Sequence, residues 1–288
     1  MIRQDLPPNL RVISTLDSDD ERFNITDRRA VRALAAAEER HFWHLSRNKL
    51  ISENLTRLGL KPPARILELG CGGGCVSAHL SREGYKVTGV DGHLSLLLEA
   101  SVRAPAARFV VCDLATRTSG IDEDSFDAVG LFDVIEHLDD PGNALRLALS
   151  LVKPGGFVVG TVPALMRLWS RVDVQAGHRL RYEKASLAAL LDSLRDARTV
   201  EIAQFNRQLV PIMMVQRRLV AKQDVAGTAE ANFRLPPTPV NQAFLMLAYF
   251  ERLLAPVLNR TGIRGASLWF ALQPLLSPTT SRGARPVS

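Results

Sequence analysis

Asp133, Glu136 and His137 stand at i, i+3 and i+4 in "LFDVIEHLDDP", so one helical turn would bring two carboxylates and an imidazole to one face. Two kinds of chemistry suit such a set. An imidazole titrates near neutral pH and can take a proton from a nucleophile as it reacts. Two oxygens and a ring nitrogen can instead hold a divalent cation that makes a substrate hydroxyl more acidic. Upstream, "ILELGCGGGCVS" at residues 66–77 is an apolar run containing Glu68 that meets Gly70, Gly72 and Gly74. Glycines at a strand exit let a ligand touch bare main chain, and a helix beginning near Gly74 would offer unpaired N–H groups.

The elements that must position these residues read as alternating strands and helices. Short β-rich runs occur at "RILELG", "YKVTGVDG", "RFVVCDL", "FDAVGLFDV" and "GGFVVGTVP", with helical stretches near 74–83, 94–102 and 141–152 between them. Such alternation predicts an α/β fold with a mostly parallel sheet covered by helices on both faces. A helix runs from about Ala30 to Leu58 and closes at Gly59 before Pro62 and Pro63. Residues 1–29 and the tail 275–288 are poor in apolar pattern and are expected to be disordered. A ligand-binding core would occupy 30–205, a helical insertion or lid 206–265, and a last strand, "ASLWFALQP", 266–274.

Composition bounds the partners. The chain has 288 residues with a formal charge of +6, and residues 201–288 hold ten Arg or Lys against four Asp or Glu, which is the whole excess. A basic C-terminal third of this kind is a solvated face or a peripheral contact with anionic lipid. A basic amphipathic helix at "RQLVPIMMVQRRLVAK" and an apolar helix near 240–259 fit the second reading. Neither shows the basic and aromatic alternation of a strand-binding groove, so no nucleic acid is expected. Three cysteines, Cys71, Cys75 and Cys112, form no secretory framework, and the N-terminus lacks the apolar core of a signal peptide. A cytoplasmic protein is the default expectation, and composition does not set the oligomeric state.

Dinucleotides and S-adenosylmethionine both use a glycine turn at a strand end, and the remaining acids help to choose between them. In the dinucleotide fingerprint the third glycine position falls at Cys75, whereas here the pattern is Gly70, Gly72, Gly74. Asp91 ends the second strand 21 residues after Gly70, where either ligand would want a carboxylate for its ribose. Asp113 ends the third strand in "VVCDL", where an acid can bond an adenine amino group.

Taken in order, "ILELGCGGG", "VTGVDG", "VVCDL", "FDAVGLFDVIEHLDDP" and "LVKPGGFVVGTVP" resemble the motifs of class I S-adenosylmethionine-dependent methyltransferases, nearest in type to the ubiquinone-biosynthesis O-methyltransferases. The resemblance implies a Rossmann-like sheet of seven strands whose last runs antiparallel. It implies S-adenosylmethionine as cofactor, held by Arg47, Glu68, Gly70, Gly72, Gly74, Asp91, Gly92, Asp113, Leu114 and Phe132. Arg47, in "HFWHLSRNKL", would meet the methionine carboxylate. His137 would be the general base, aided by Asp133 and Glu136, and the same three would form a Mg2+ site like that of related enzymes, with His178 a further match in order. Trp43, Trp169, His178, Arg181 and Tyr182 would line the acceptor side, and cationic "AGHRLRY" would suit an acidic or phosphorylated small molecule. The implied reaction is methyl transfer to an acceptor hydroxyl, with nitrogen or carbon acceptors, or a non-catalytic membrane-associated subunit, as alternatives.

Overall fold

The computed structural model describes residues 6–12, 28–113, 121, 125–220 and 235–275. In chain order they form β1 (Leu10–Val12), α1 (Arg28–Glu38), α2 (Phe42–Arg57), β2 (Arg65–Leu69), α3 (Cys75–Arg82), β3 (Lys86–Asp91), α4 (Leu94–Arg103), β4 (Arg108–Val111) and β5 (Phe126–Phe132). These continue into α5 (Pro141–Leu151), β6 (Val152–Pro163), α6 (Arg171–Gln175), α7 (Lys184–Asp192), β7 (Ala197–Phe205), α8 (Leu209–Val220), α9 (Thr238–Leu258) and β8 (Ser267–Pro274). One sheet joins all eight strands in the order β1-β4-β3-β2-β5-β6-β8-β7. Every neighbouring pair is parallel except those made by β8, which runs antiparallel to β6 and β7.

The expected seven-stranded core is therefore present with an eighth strand at its edge. Leu10–Val12, which the sequence placed in a disordered segment, pairs with β4 instead, and the buried Leu10 side chain anchors it. Residues 1–5, 13–27 and 276–288 of the expected disordered ends lie outside the described residues. A second correction concerns the helix expected over 30–58. It is two helices, because the His41 ring breaks the run by accepting the Trp43 N–H as an N-cap (3.2 Å). Arg103 on α4 then holds the end of α1 through Glu38 at 2.9 Å and Glu39 at 3.3 Å.

Period-2 alternation sends neighbouring residues of each strand into two separate cores. On β5, Val129 and Leu131 enter a core with Leu67, Leu145, Val158 and Phe270, while Ala128 and Phe132 face Ile51, Ile66, Phe109 and Trp269. The chain leaves β2 to build β3 and β4 on one side, then crosses to β5 on the other. Ligands in open α/β sheets lie beyond the carboxyl ends of the strands at such a switch point. The glycine turn follows β2 and the Asp133–His137 segment follows β5, so both border that crevice.

Candidate active site

The turn after β2 needs glycine for two distinct reasons. Gly70 and Gly74 have φ of +72° and +73°, and a Cβ at either would sit 2.8 Å from Val134 Cγ2 or 2.7 Å from Ala100 Cβ. Gly72 has φ +51° but a Cβ there would meet nothing within 4 Å, so its main chain borders open space. Its N–H donates to Asp91 Oδ2 at 2.8 Å, and Asp91 Oδ1 accepts from the His93 N–H at 2.9 Å. Asp91 thus pins the loop to the end of β3; His93 Nδ1 also lies 2.8 Å from Oδ1, so it is Oδ2 that keeps a second lone pair for a ligand. Gly92 follows it in a buried bend, and Asp113 is buried at the end of β4. Leu114 lies outside the described residues.

Glu68 is engaged by the helix that follows the turn. Its carboxyl is buried and accepts the Ser77 hydroxyl at 2.5 Å, tying β2 to α3, and burial pushes its pKa up to about 7. Arg47 is also buried, with Nη1 2.5 Å from Asp133 Oδ2. Phe132, the last residue of β5, is buried against the same face.

The Asp133–His137 segment corrects the expected helical face. Asp133 takes φ +57°, which turns the chain before a short 3-10 turn over Ile135–His137. Its carboxylate is engaged by Arg47 and by the Thr161 hydroxyl at 3.0 Å, and it is not part of the tight cluster that contains Glu136 and His137. The group that does converge is His178. Ligand atoms of Glu136, His137 and His178 all lie within 4.8 Å of one another. Glu136 is fully buried with neither oxygen hydrogen-bonded, and burial, then the nearby Asp133, raises its pKa well above the carboxylate range. The same burial, with Glu136 beside it, pushes Tyr182 up to about 12.

Both imidazoles are oriented from behind. His137 Nδ1 lies 3.2 Å from the Gly177 carbonyl, and His178 Nδ1 lies 3.2 Å from Asp173 Oδ1. A neutral ring that donates from Nδ1 presents Nε2 as an acceptor. Burial, then the adjacent His178, lowers the His137 pKa, so this ring is neutral at pH 7. Asp173 was missed in the sequence. It is fully buried, caps α6 through the Ser170 N–H at 2.8 Å and accepts from Arg181 Nε at 2.6 Å. Burial alone would raise its pKa, yet the His178 hydrogen bond and the Arg181 and Arg217 charges hold it at about 2. The available signal was the spacing "SRVD", a capping-box pattern at residues 170–173.

Several expected acceptor-side residues face elsewhere. Arg181 is buried on Asp173 and the Ala164 carbonyl, and Tyr182 is buried with its hydroxyl toward the Ile135 carbonyl. The guanidinium of Arg179 is occupied by Asp139 and the His137 carbonyl at 2.9 Å. Trp43 and Trp169 are half-buried. A cavity of about 370 Å³ lies to the side, between α2, α9, β7 and β8. Leu50, Ala203, Phe205, Ala248, Ala255 and Trp269 form much of its apolar wall. Register connects this wall to the crevice, since Phe132 pairs with Thr161, Thr161 with Trp269 and Trp269 with Ala203. Directly paired residues share a face, so this row starts at Asp133's neighbour and ends in the cavity. The charged groups of the cavity pair with one another: Arg207 with Glu251 at 3.0 Å, Arg252 with Glu53 at 3.1 Å, and Arg57 with Glu201.

A sheet in this order with a glycine turn after its first core strand and acids closing the next two is the architecture of a class I methyltransferase. A family model described as a methyltransferase domain matches residues 11–200, and the chain belongs to that family. The chemistry of this class is methyl transfer from S-adenosylmethionine. The ubiquinone biosynthesis O-methyltransferase of Alkalilimnicola ehrlichii is 38% identical over 102 residues, which cover 33% of this chain and 40% of that protein. The match thus spans well under half the length of that curated relative. Among solved structures, Haemonchus contortus phosphoethanolamine N-methyltransferase 2 aligns with a TM-score of 0.50 and 20% identity over 80% of this chain and 52% of that one. Geranyl diphosphate C-methyltransferase from Streptomyces coelicolor A3(2) aligns with a TM-score of 0.50 and 16% identity over 79% and 76%. At these identities the structural likeness concerns the fold, which serves nitrogen and carbon acceptors in those two proteins.

Proposed function

We propose that the chain transfers a methyl group to a hydroxyl oxygen of a small organic acceptor, with His137 as the base. The observation that carries this reading is the convergence of Glu136, His137 and His178 at the carboxyl edge of the sheet. When bound, S-adenosylmethionine supplies an electrophilic methyl group on a sulfonium, so the chain has to aim an oxygen in line and take its proton. The open main chain at Gly72, flanked by Gly70 and Gly74, fits the cofactor, with Asp91 for the ribose and Asp113 and Leu114 for the adenine. Arg47, Glu68, Gly92 and Phe132 complete the wall around the methionine end, Glu68 through the placement of α3.

His137 would present Nε2 to the acceptor hydroxyl while the Gly177 carbonyl fixes the ring. Asp173 is a positioning residue that does the same for His178. Three acceptors facing one another need a proton or a cation between them. One carboxylate and two imidazoles suit a divalent transition ion better than Mg2+, which prefers oxygen ligands throughout. Such an ion, when bound, would make the acceptor hydroxyl more acidic, and Asp173 would stand behind His178 as the usual outer partner. The acceptor's body would extend along the Phe132–Thr161–Trp269 row into the lateral cavity. Because the cavity's charges are internally paired, this favours a neutral body over the acidic or phosphorylated one suggested by "AGHRLRY".

Isothermal titration with S-adenosylmethionine tests the first step, and no heat at millimolar ligand would end the reading. Product mass spectrometry with a panel of phenols, sugars and amines then tests the acceptor atom. His137→Ala should slow transfer to oxygen by about 10²–10⁴-fold. Unchanged turnover would remove His137 from the base role. Dialysis against a chelator with Mn2+ and Mg2+ add-back separates the metal-dependent route from the metal-free one.

A further inference from the structure

The outer face of α9 has no cover among the described residues. Met246, Tyr249, Phe250, Leu253, Leu254 and Val257 are each more than half exposed. At about 100° per residue they fall within one half of the helix circumference. The two charged residues of α9, Glu251 and Arg252, lie on the other side, tied to Arg207 and Glu53. The outward half is therefore uncharged along its length. An apolar patch of this extent on a surface marks an interaction site.

Charge around the patch identifies what covers it. Among the described residues 235–275 the charged side chains are Arg252, Arg260, Arg264 and one acid, Glu251, which is buried. Arg260 and Arg264 are exposed just beyond the end of α9, Arg264 within 3.5 Å of Glu183 in a solvent-exposed pair that lipid phosphate could replace. A second copy packed face to face would set these arginine rims against each other, and like charges across an interface are unfavourable. Lipid phosphates complement them. No helix among the described residues is long and apolar enough to cross a membrane, so α9 would lie along the surface.

We propose that α9 seats the protein on anionic bilayers, its apolar face entering the boundary between headgroups and acyl chains and its flanking arginines pairing with lipid phosphate. The inner side of the same helix, at Ala248 and Ala255, walls the lateral cavity, so a docked protein holds that cavity beside the bilayer.

Flotation of the full chain with vesicles tests this. Vesicles of phosphatidylcholine with about one quarter phosphatidylglycerol should carry the protein upward at low salt, and raising salt to about 0.5 M should weaken binding severalfold through screening. The double variant L253E/L254E alters exposed positions and should lower vesicle affinity at least about tenfold, since charge replaces the apolar face. R260E/R264E should remove the preference for anionic over pure phosphatidylcholine vesicles. Failure of the wild type to float at low salt overturns the proposal, as does flotation that L253E/L254E leaves unchanged. A concentration-dependent dimer in sedimentation that the same variant dissociates would assign the face to a second copy and also overturn it. Titration of both variants with S-adenosylmethionine keeps this question apart from methyl transfer: unchanged cofactor affinity is expected whether or not the vesicles bind.

Discussion

At the β2 end of the crevice the main chain does the positioning, whereas at the β5 and β6 end side chains do it. Gly70, Gly72 and Gly74 shape their loop through positive φ over five residues, and Asp91 clamps it with a single hydrogen bond from Gly72. The opposite wall is assembled from Arg47, Asp133, Thr161, Asp173 and His178, drawn from widely separated segments. The first wall leaves no room for a side chain at Gly70 or Gly74. The second tolerates backbone variation but depends on each polar partner. Substitutions in the two walls should therefore fail differently, one through stability and cofactor affinity, the other through turnover.

The largest effect is expected at Gly74. Valine there would need a β-branched residue at φ +73° and a Cβ 2.7 Å from Ala100 Cβ. Left-handed geometry and overpacking together should cost at least about 3–5 kcal/mol, enough to unfold much of the protein. Gly72→Ala meets no clash and should cost only about 1 kcal/mol in denaturant unfolding. Its methyl group would still project where the ligand approaches, so cofactor affinity should fall at least about tenfold while the fold survives. Equal destabilisation by the two variants would break the contrast between packed and ligand-facing glycines.

Glu68 offers a test of the same wall by pH. Burial raises its folded pKa from 4.5 to about 7, so the native state holds this proton more tightly than the unfolded chain. The associated stability is fully present below about pH 4.5 and is lost as pH rises toward 7. Two to three pKa units correspond to about 3 kcal/mol. Glu68→Gln keeps an oxygen for the Ser77 hydroxyl and removes the charge. Its unfolding free energy should gain up to about 3 kcal/mol over wild type at pH 8 and little at pH 4. A variant no more stable than wild type at pH 8 would contradict the buried-acid assignment.

The two walls also differ in how far the sequence revealed them. Gly70, Gly72, Gly74 and Asp91 were legible because a strand exit, a turn and the next strand end lie within some twenty residues, and their roles follow from local geometry. The parallel sheet followed from the alternation, whereas antiparallel β8 came from the family resemblance. The trio Asp133, Glu136 and His137 was legible as chemistry but not as geometry. Asp133 adopts φ +57°, and the pull of Arg47 and Thr161 outweighs any helical preference, so His178 replaces Asp133 in the cluster. Arg181 was expected at the acceptor side because the family resemblance puts the "AGHRLRY" loop there. Its burial depends on Asp173, which only the tertiary fold brings beneath it. Leu10–Val12 escaped notice because three residues carry no period, and β4 supplies the partner that makes them a strand.

Asp173→Asn sharpens the comparison on the side-chain wall. The change keeps size while removing the charge that holds the His178 tautomer, so turnover should fall about 10–100-fold with cofactor affinity nearly unchanged. Glutamate at 173 would restore charge but not geometry and should recover part of the loss. The wild-type carboxyl also links stability to acid. Its folded pKa of about 2 lies below the ordinary 3.8, so its contribution is present above pH 3.8 and lost as pH falls toward 2. A variant with normal turnover would leave His178 without need of an orienting partner.

The smallest effect is expected at Asp139, which meets Arg179 in an exposed pair at 2.6 Å. Solvent screening limits such a pair to about 0.5 kcal/mol, so Asp139→Asn should hardly shift denaturant unfolding. Turnover should also hold within about twofold, because Arg179 Nε still donates to the His137 carbonyl at 2.9 Å and keeps that loop in place. Arg179→Ala removes both contacts and frees the carbonyl behind the base. If the two variants lost turnover equally, the exposed carboxylate rather than the carbonyl contact would be what holds His137. The side-chain wall would then extend to the protein surface, and its contrast with the glycine wall would be one of depth as well as of material.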